Sequence, residues 1–235
     1  MRKLFSLLLL LTAFTAVAQQ DVTVKKKDRK KDILLHTNFG DMVVRLSDST
    51  PLHRDNFIRL VKAKYFDSLL FHRVINRFMI QGGDPESKYA KPGQALGNGG
   101  PRYTIPAEFR SSLFHVKGVI AAAREGDDVN PTKASSGSQF YIVQGKVFTE
   151  PGLDSVETRR LKRRLPDYQR EVYKTIGGTP HLDQNYTIFG HVVKGMEVID
   201  KIAAVATSKG PDRDRPLEDV RIIEAKLVRR NHKLK

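Results

Sequence analysis

Phe71-His72-Arg73-Val74-Ile75-Asn76-Arg77-Phe78-Met79-Ile80-Gln81-Gly82-Gly83-Asp84 is the stretch that decides how the rest of the chain is read. It mixes cationic, amide and large apolar side chains and then stops at a Gly-Gly turn. Read as an extended segment, the alternation predicts Phe71, Arg73 and Ile75 on one side and His72 and Val74 on the other. A second strand, Phe78 to Gln81, repeats the mixture. An Arg and a Gln set amid Phe and Met describe either a binding surface or a half-buried hairpin whose polar groups face water. The pattern alone leaves both open.

Two further stretches follow downstream: Gly137-Ser138-Gln139-Phe140-Tyr141-Ile142, and Leu182-Asp183 through Phe189-Gly190. With Phe71-His72-Arg73 and Phe78 to Asp84, these resemble, in order, the signature of the cyclophilins, the peptidyl-prolyl cis-trans isomerases. The likeness runs from about Ile33 to Val228. It implies an all-β-dominated fold, an eight-stranded antiparallel barrel with a helix over each end. It also implies catalysis of rotation about X-Pro bonds, with Arg73, Phe78 and Gln81 as the catalytic set. Met79, Tyr141 and Leu182 match the walls of a proline pocket. Gln139 matches an amide that holds substrate backbone and orients the arginine. Ala123 and Arg124 match residues whose main chain pairs with the peptide. Tyr141 stands where Phe is common and is expected to add a hydroxyl at the pocket wall. His181 stands where drug-sensitive members have Trp, so tight cyclosporin binding is not expected, and Tyr186 takes a rim position that is often His.

Upstream of the signature, Ile33 to His36 and Met42 to Leu46 flank a polar turn with Asn38 and Gly40, which predicts a hairpin. Thr50-Pro51 predicts a helix start with Thr50 as the cap. Phe57, Leu60 and Val61 then give that helix one buried stripe. Met1-Arg2-Lys3, the apolar run Leu4 to Ala18 and the small residues Ala16-Val17-Ala18 read as a signal peptide, residues 1–18, cleaved after Ala18. The run is shorter than the roughly 20 apolar residues a membrane span needs, so no transmembrane anchor is expected. With no cysteine anywhere, the expected product is a soluble periplasmic protein of a Gram-negative bacterium, held together without disulfides.

Residues 19–32 and 229–235 read as a basic linker and a basic tail around an isomerase domain of residues 33–228. The formal charge of +15 becomes +13 once Arg2 and Lys3 leave with the signal. Such charge favours anionic partners in general, but no nucleic-acid motif or aromatic platform accompanies it, and no specific nucleic acid is expected. From about Lys146 to Gly178 the chain departs from the compact family pattern. Leu161, Leu165, Tyr168 and Val172 recur at helical spacing, Pro166 interrupts them and Gly177-Gly178 ends the run. This predicts a helical insertion with Arg159-Arg160 and Lys162-Arg163-Arg164 exposed.

The glycine-rich segment Gly97-Asn98-Gly99-Gly100-Pro101 lacks a phosphate-binding ending and is assigned to a side pocket by the resemblance. Asp127-Asp128 lacks the ordered oxygen ligands of a calcium site, and the histidines lack zinc spacing, so no metal or cofactor is expected. No Gly-x-Ser-x-Gly elbow supports hydrolase chemistry. His72 beside Arg73 is assigned a structural role, because isomerisation moves no proton. The expected partners are proline-containing unfolded or partly folded polypeptides. The sequence leaves oligomeric state open. It also leaves open a non-catalytic peptide-binding chaperone, and an envelope adhesin working through charge.

Overall fold

A computed structural model describes residues 22–210, 212, 214–231 and 234; the expected signal peptide lies outside them. β1 (Asp32–Thr37) and β2 (Gly40–Leu46) form the expected hairpin, with a turn of only Asn38 and Phe39. Thr37 closes that turn by donating its hydroxyl to the Gly40 carbonyl, 2.6 Å away. The remaining strands are β3 (Arg73–Ile75), β4 (Met79–Gly82), β5 (Thr104–Ile105), β6 (Val119–Ala122), β7 (Ser135–Ser136), β8 (Phe140–Val143), β9 (Ile188–Lys194) and β10 (Ile222–Val228). Eight of them make one antiparallel sheet in the order β10-β1-β2-β9-β6-β8-β4-β3, while β5 and β7 pair separately.

The sheet curls until its two ends meet. Ser68 and Phe71, just before β3, donate backbone bonds to Ile222 and Val220, and Ile222 donates back to Leu69, all at 2.7–2.8 Å. This seam closes the barrel around a core that includes Phe57, Phe66, Phe71, Phe140 and Phe189. Their rings meet at tilted or edge-on angles with centroids 4.7–6.1 Å apart, separations favoured by the ring quadrupole. α1 (Pro51–Lys62) buries Phe57, Leu60 and Val61 in this core, and α4 (Met196–Ala203) buries Val198, Ile199 and Ile202.

Three expectations need correction. Phe71 does not share a side with Arg73 and Ile75: it lies in the barrel core with Val74, because the strand begins only at Arg73. Thr50 precedes α1 but makes no side-chain cap, and its hydroxyl is buried without a partner. The free amides of Leu52 and His53 are instead taken by the Glu108 carboxylate at 3.2 and 3.0 Å. An acid at a helix N-terminus also suits the helix dipole.

The segment read as a basic linker is docked: Asp28–Lys30 form a 3-10 turn, Arg29 pairs with Asp55 of α1 at 2.6 Å, and Lys62 pairs with buried Asp28 at 2.9 Å. Asp32 belongs to β1, is buried and pairs with Arg45 at 2.9 Å. The insertion has two helices, α2 (Glu150–Val156), running into a π-helical turn at Glu157–Leu161, and α3 (Asp167–Thr175). Its buried hydrophobic cluster is Leu153, Leu165 and Tyr173, while Tyr168 is exposed. Pro166 resets the helical phase, so one spacing cannot run through it. Arg159, Arg160 and Lys162 to Arg164 are exposed as expected.

Candidate active site

The Gly82-Gly83-Asp84 turn explains why the signature ends as it does. Gly83 has φ +92°, and a Cβ there would stand 2.2 Å from the Ser138 carbonyl oxygen. Only glycine lets the two backbones approach so closely. Asp84 is fully buried and turns its carboxylate onto the amides of Glu86, Gly97 and Gly99, at 2.8, 2.5 and 3.3 Å. One buried acid thus folds the glycine-rich loop back over the strand pair. Arg215, also buried, fastens the same loop from the far side by donating to the carbonyls of Lys91 and Gln94 at 2.9 and 2.8 Å.

The result is a cavity of about 360 Å³ on the outer face of the barrel. β3 contributes Arg73, the turn and β4 contribute Phe78, Met79 and Gln81, and β8 contributes Tyr141. Ala123, Arg124, Leu182 and Tyr186 complete the expected set, and Leu96, Gly97 and Asn98 form the loop side. In β3 and β4 Arg73 is registered directly opposite Gln81. Its guanidinium donates to Gln81 Oε1 at 3.5 Å; Gln81 Nε2 donates to Gln139 Oε1 at 3.1 Å; Gln139 Nε2 donates to the carbonyls of Gly97 and Gly99 at 2.8 Å. Arg73 Nε also lies 3.8 Å from Asp214 Oδ2. The guanidinium is therefore aimed but half-exposed, with donors left for a guest.

Two expected residues stand outside the cavity. Gln139 sits behind Gln81 as the anchor of this relay. His181 stacks on the outer face of Phe78, with ring centroids 5.5 Å apart, and faces a neighbouring cleft instead. Burial, with help from the nearby His115, Arg160 and Lys146, pulls its pKa down to about 4. His72 lines the cavity floor, buried, and neither ring nitrogen has a hydrogen-bond partner among the described residues. Burial likewise brings it to about 4, so both rings are neutral near pH 7.

The main chain of Ala123 is committed within the barrel: its amide donates to Gln139 O at 3.0 Å and its carbonyl accepts from Ser136 at 2.8 Å. The Arg124 side chain is itself fixed by Asp127 at 2.7 Å, by the Asn185 carbonyl at 2.8 Å, and over the Tyr186 ring at 4.7 Å.

The Tyr141 hydroxyl is not at the pocket wall. The ring lines the cavity, but the hydroxyl points inward and meets His115 Nε2 at 2.9 Å. His115 Nδ1 then meets Asp183 Oδ1 at 2.9 Å, and Tyr173 of α3 donates to Asp183 Oδ2 at 2.7 Å. All four residues are buried, and burial raises both tyrosine pKa values. Sequence reasoning missed Glu108, Arg215, Asp212 and Asp214, all of which act across long sequence separations. Asp212 lines the cavity and Asp214 approaches Arg73. Among the described residues, no group of three or more His, Asp or Glu could hold a metal ion.

Residues 33–227 match the family model described as cyclophilin type peptidyl-prolyl cis-trans isomerase/CLD. A Staphylococcus saprophyticus protein named as a candidate peptidyl-prolyl cis-trans isomerase is 36% identical over 200 residues, covering 83% of this chain and 91% of that protein. A Staphylococcus haemolyticus protein named in the same way is 34% identical over 200 residues, covering 85% and 91%. Among solved structures, a Cryptosporidium parvum cyclophilin type peptidyl-prolyl cis-trans isomerase superposes with TM-score 0.59 at 22% identity, covering 84% of this chain and 97% of that one. The same protein was also crystallised in the presence of the dipeptide Ala-Pro, and that structure superposes equally well.

Proposed function

The chain belongs to the cyclophilin-type peptidyl-prolyl cis-trans isomerases, and from that premise we propose that Arg73, Phe78 and Gln81 are its catalytic set. The barrier to be lowered is amide resonance, about 18–20 kcal/mol, and left alone the exchange takes tens to hundreds of seconds. No bond is made or broken. Phe78, Met79, Leu182 and the Tyr141 ring offer a slot for the proline ring. Arg73, aimed by Gln81, donates to the imide nitrogen, which becomes a better acceptor as it turns pyramidal in the twisted state. A charge-assisted hydrogen bond worth about 1.5–3 kcal/mol, made only halfway round, gives roughly ten- to a hundred-fold or more in rate. Gln139 positions Gln81, and the Arg124 main chain holds the peptide.

The observation that carries this reading is the convergence of Arg73, Phe78, Met79 and Leu182 on one cavity, with no residue of the 146–178 insertion among its lining. The experiment is a proline-peptide isomerisation assay on the protein and on Arg73→Ala. Acceleration lost in the variant is the expected result. Uncatalysed rates for both would leave a peptide-binding module.

The substrates follow as proline-containing unfolded or partly folded polypeptides. The basic start and apolar run of residues 1–18 support export to a periplasm and a role in folding exported proteins. Among the described residues, no helix is long and apolar enough to cross a membrane. Cell fractionation with N-terminal sequencing of the mature chain tests this: a chain beginning at Gln19 in the periplasmic fraction is expected, and an intact Met1 in the cytoplasm would refute it.

A further inference from the structure

Phe78 has two faces. One lines the proline cavity; the other lines a second cleft of about 190 Å³ between the barrel and the insertion. The second cleft is apolar along Phe78, Phe148 and Val156, and its floor at Gly178 carries no side chain. Three cations ring it, each from a different element. Arg77 comes from the β3–β4 turn, Lys146 from the segment after β8, and Arg160 from the π-helical turn.

The backbones of Arg77 and Lys146 are fixed. Arg77 is held at φ +61° with its amide bonded to Gln144 Oε1, and Lys146 exchanges two backbone bonds with Gly178 at 3.0 and 3.2 Å.

Several other cations are neutralised in pairs. Arg124 pairs with Asp127, Arg170 with Glu150, Asp154 and Glu157, and Lys117 with Asp200. Among the described residues, none of Arg77, Lys146 and Arg160 pairs with a carboxylate; Lys146 lies over the Phe148 ring at 5.1 Å. The fields of Arg160 and Lys146 reach His181 at the back of the cleft, where, after burial and His115, they disfavour its protonation. Three like charges around an apolar slot, set off from the first cavity by the Phe78 ring, have no carboxylate partner among the described residues. A polypeptide bound next door can supply it.

We propose that this cleft is a specificity subsite for an acidic side chain, Asp or Glu, within about three residues of the isomerised proline. The proposal rests on the isomerase reading above. The span is short: His181 stacks 5.5 Å from Phe78, and each extended residue covers about 3.3–3.6 Å.

The test uses a neutral proline peptide in which one position at a time, up to three residues either side of proline, is Glu, Gln or Lys. At one placement Glu is expected to exceed Gln by roughly three- to ten-fold in kcat/KM, the sum of two or three partly exposed pairs. Lys should be worse than Gln, and the gap should shrink in high salt. In an Arg160→Ala, Lys146→Ala double variant the Glu/Gln ratio should approach one. Equal rates for Glu and Gln at every placement, or a preference that survives the double variant, would overturn the subsite. Should no peptide be turned over, the isomerase reading fails by itself. Fluorescence anisotropy of the same labelled peptides then decides the subsite: tighter Glu binding, lost in the double variant, supports it, and equal affinities sink it.

Discussion

Two polar networks meet the same cavity wall from opposite sides, and they are built differently. In front, Arg73, Gln81 and Gln139 form a relay with one long bond of 3.5 Å and one of 3.1 Å, open to solvent at its guanidinium end. Behind, Tyr141, His115, Asp183 and Tyr173 are joined by bonds of 2.7–2.9 Å with no exposed member. A buried donor without a partner costs far more than a wet one. The rear network therefore has to be complete, while the front one keeps capacity in reserve for a guest. The difference separates the part of the site that frames the pocket from the part that acts on what enters it.

Mutations should fall on one side of that division or the other. The largest effect is expected from Asp183→Ala. It strands the Tyr173 hydroxyl, the His115 ring and the His115 amide, which donates to Asp183 Oδ1 at 2.8 Å. A loss on the order of 3–5 kcal/mol is expected, at about 1–3 kcal/mol for each unsatisfied group, read by urea denaturation. Arg73→Ala should do the reverse. It should lower kcat/KM about ten- to a hundred-fold, or roughly 1.4–2.7 kcal/mol, with stability changed by less than about 0.5 kcal/mol. If Arg73→Ala destabilised as much as Asp183→Ala, the division would be false.

Acid should probe both sides together. His72 and His181 have folded pKa values near 4, below the ordinary 6.5. Their neutral forms are favoured by the fold, so their contribution is complete above pH 6.5 and is lost as pH falls from there towards 4. Each adds up to about 1.4 kcal/mol per pH unit to the slope. Denaturation curves between pH 7.5 and 4 should show the decline, and His72→Gln or His181→Gln should each flatten it. The smallest change is expected from Tyr141→Phe, which keeps the ring and leaves one imidazole nitrogen unpaired. About 1 kcal/mol of stability should go, with kcat/KM within roughly three-fold. A larger loss of rate than of stability would show that the rear network also steers catalysis.

Much of this was legible from local pattern. The 33–46 hairpin, the start of α1 at Pro51 and the grouping of Arg73, Phe78, Met79, Gln81 and Leu182 on one cavity follow from spacing and from the resemblance. What escaped depends on distance along the chain. Glu108 caps a helix that begins at Pro51, Arg215 clasps carbonyls of Lys91 and Gln94, and Asp214 approaches Arg73. None of these pairs leaves a periodicity. The Tyr141 hydroxyl was assigned to the wrong side because its direction is set by His115 and the insertion, not by its own strand.

The seam between residues 68–71 and 220–222 carries a consequence for the order of events. Arg73 follows that seam by two residues, and β10, which leads away from it, is the last strand in sequence among the described residues. A chain emerging from its N-terminus can pair β1 with β2 early. It cannot shut the cylinder or settle the guanidinium until nearly every residue has arrived. A nascent fragment lacking β10 should therefore be inert however well its hairpin has formed.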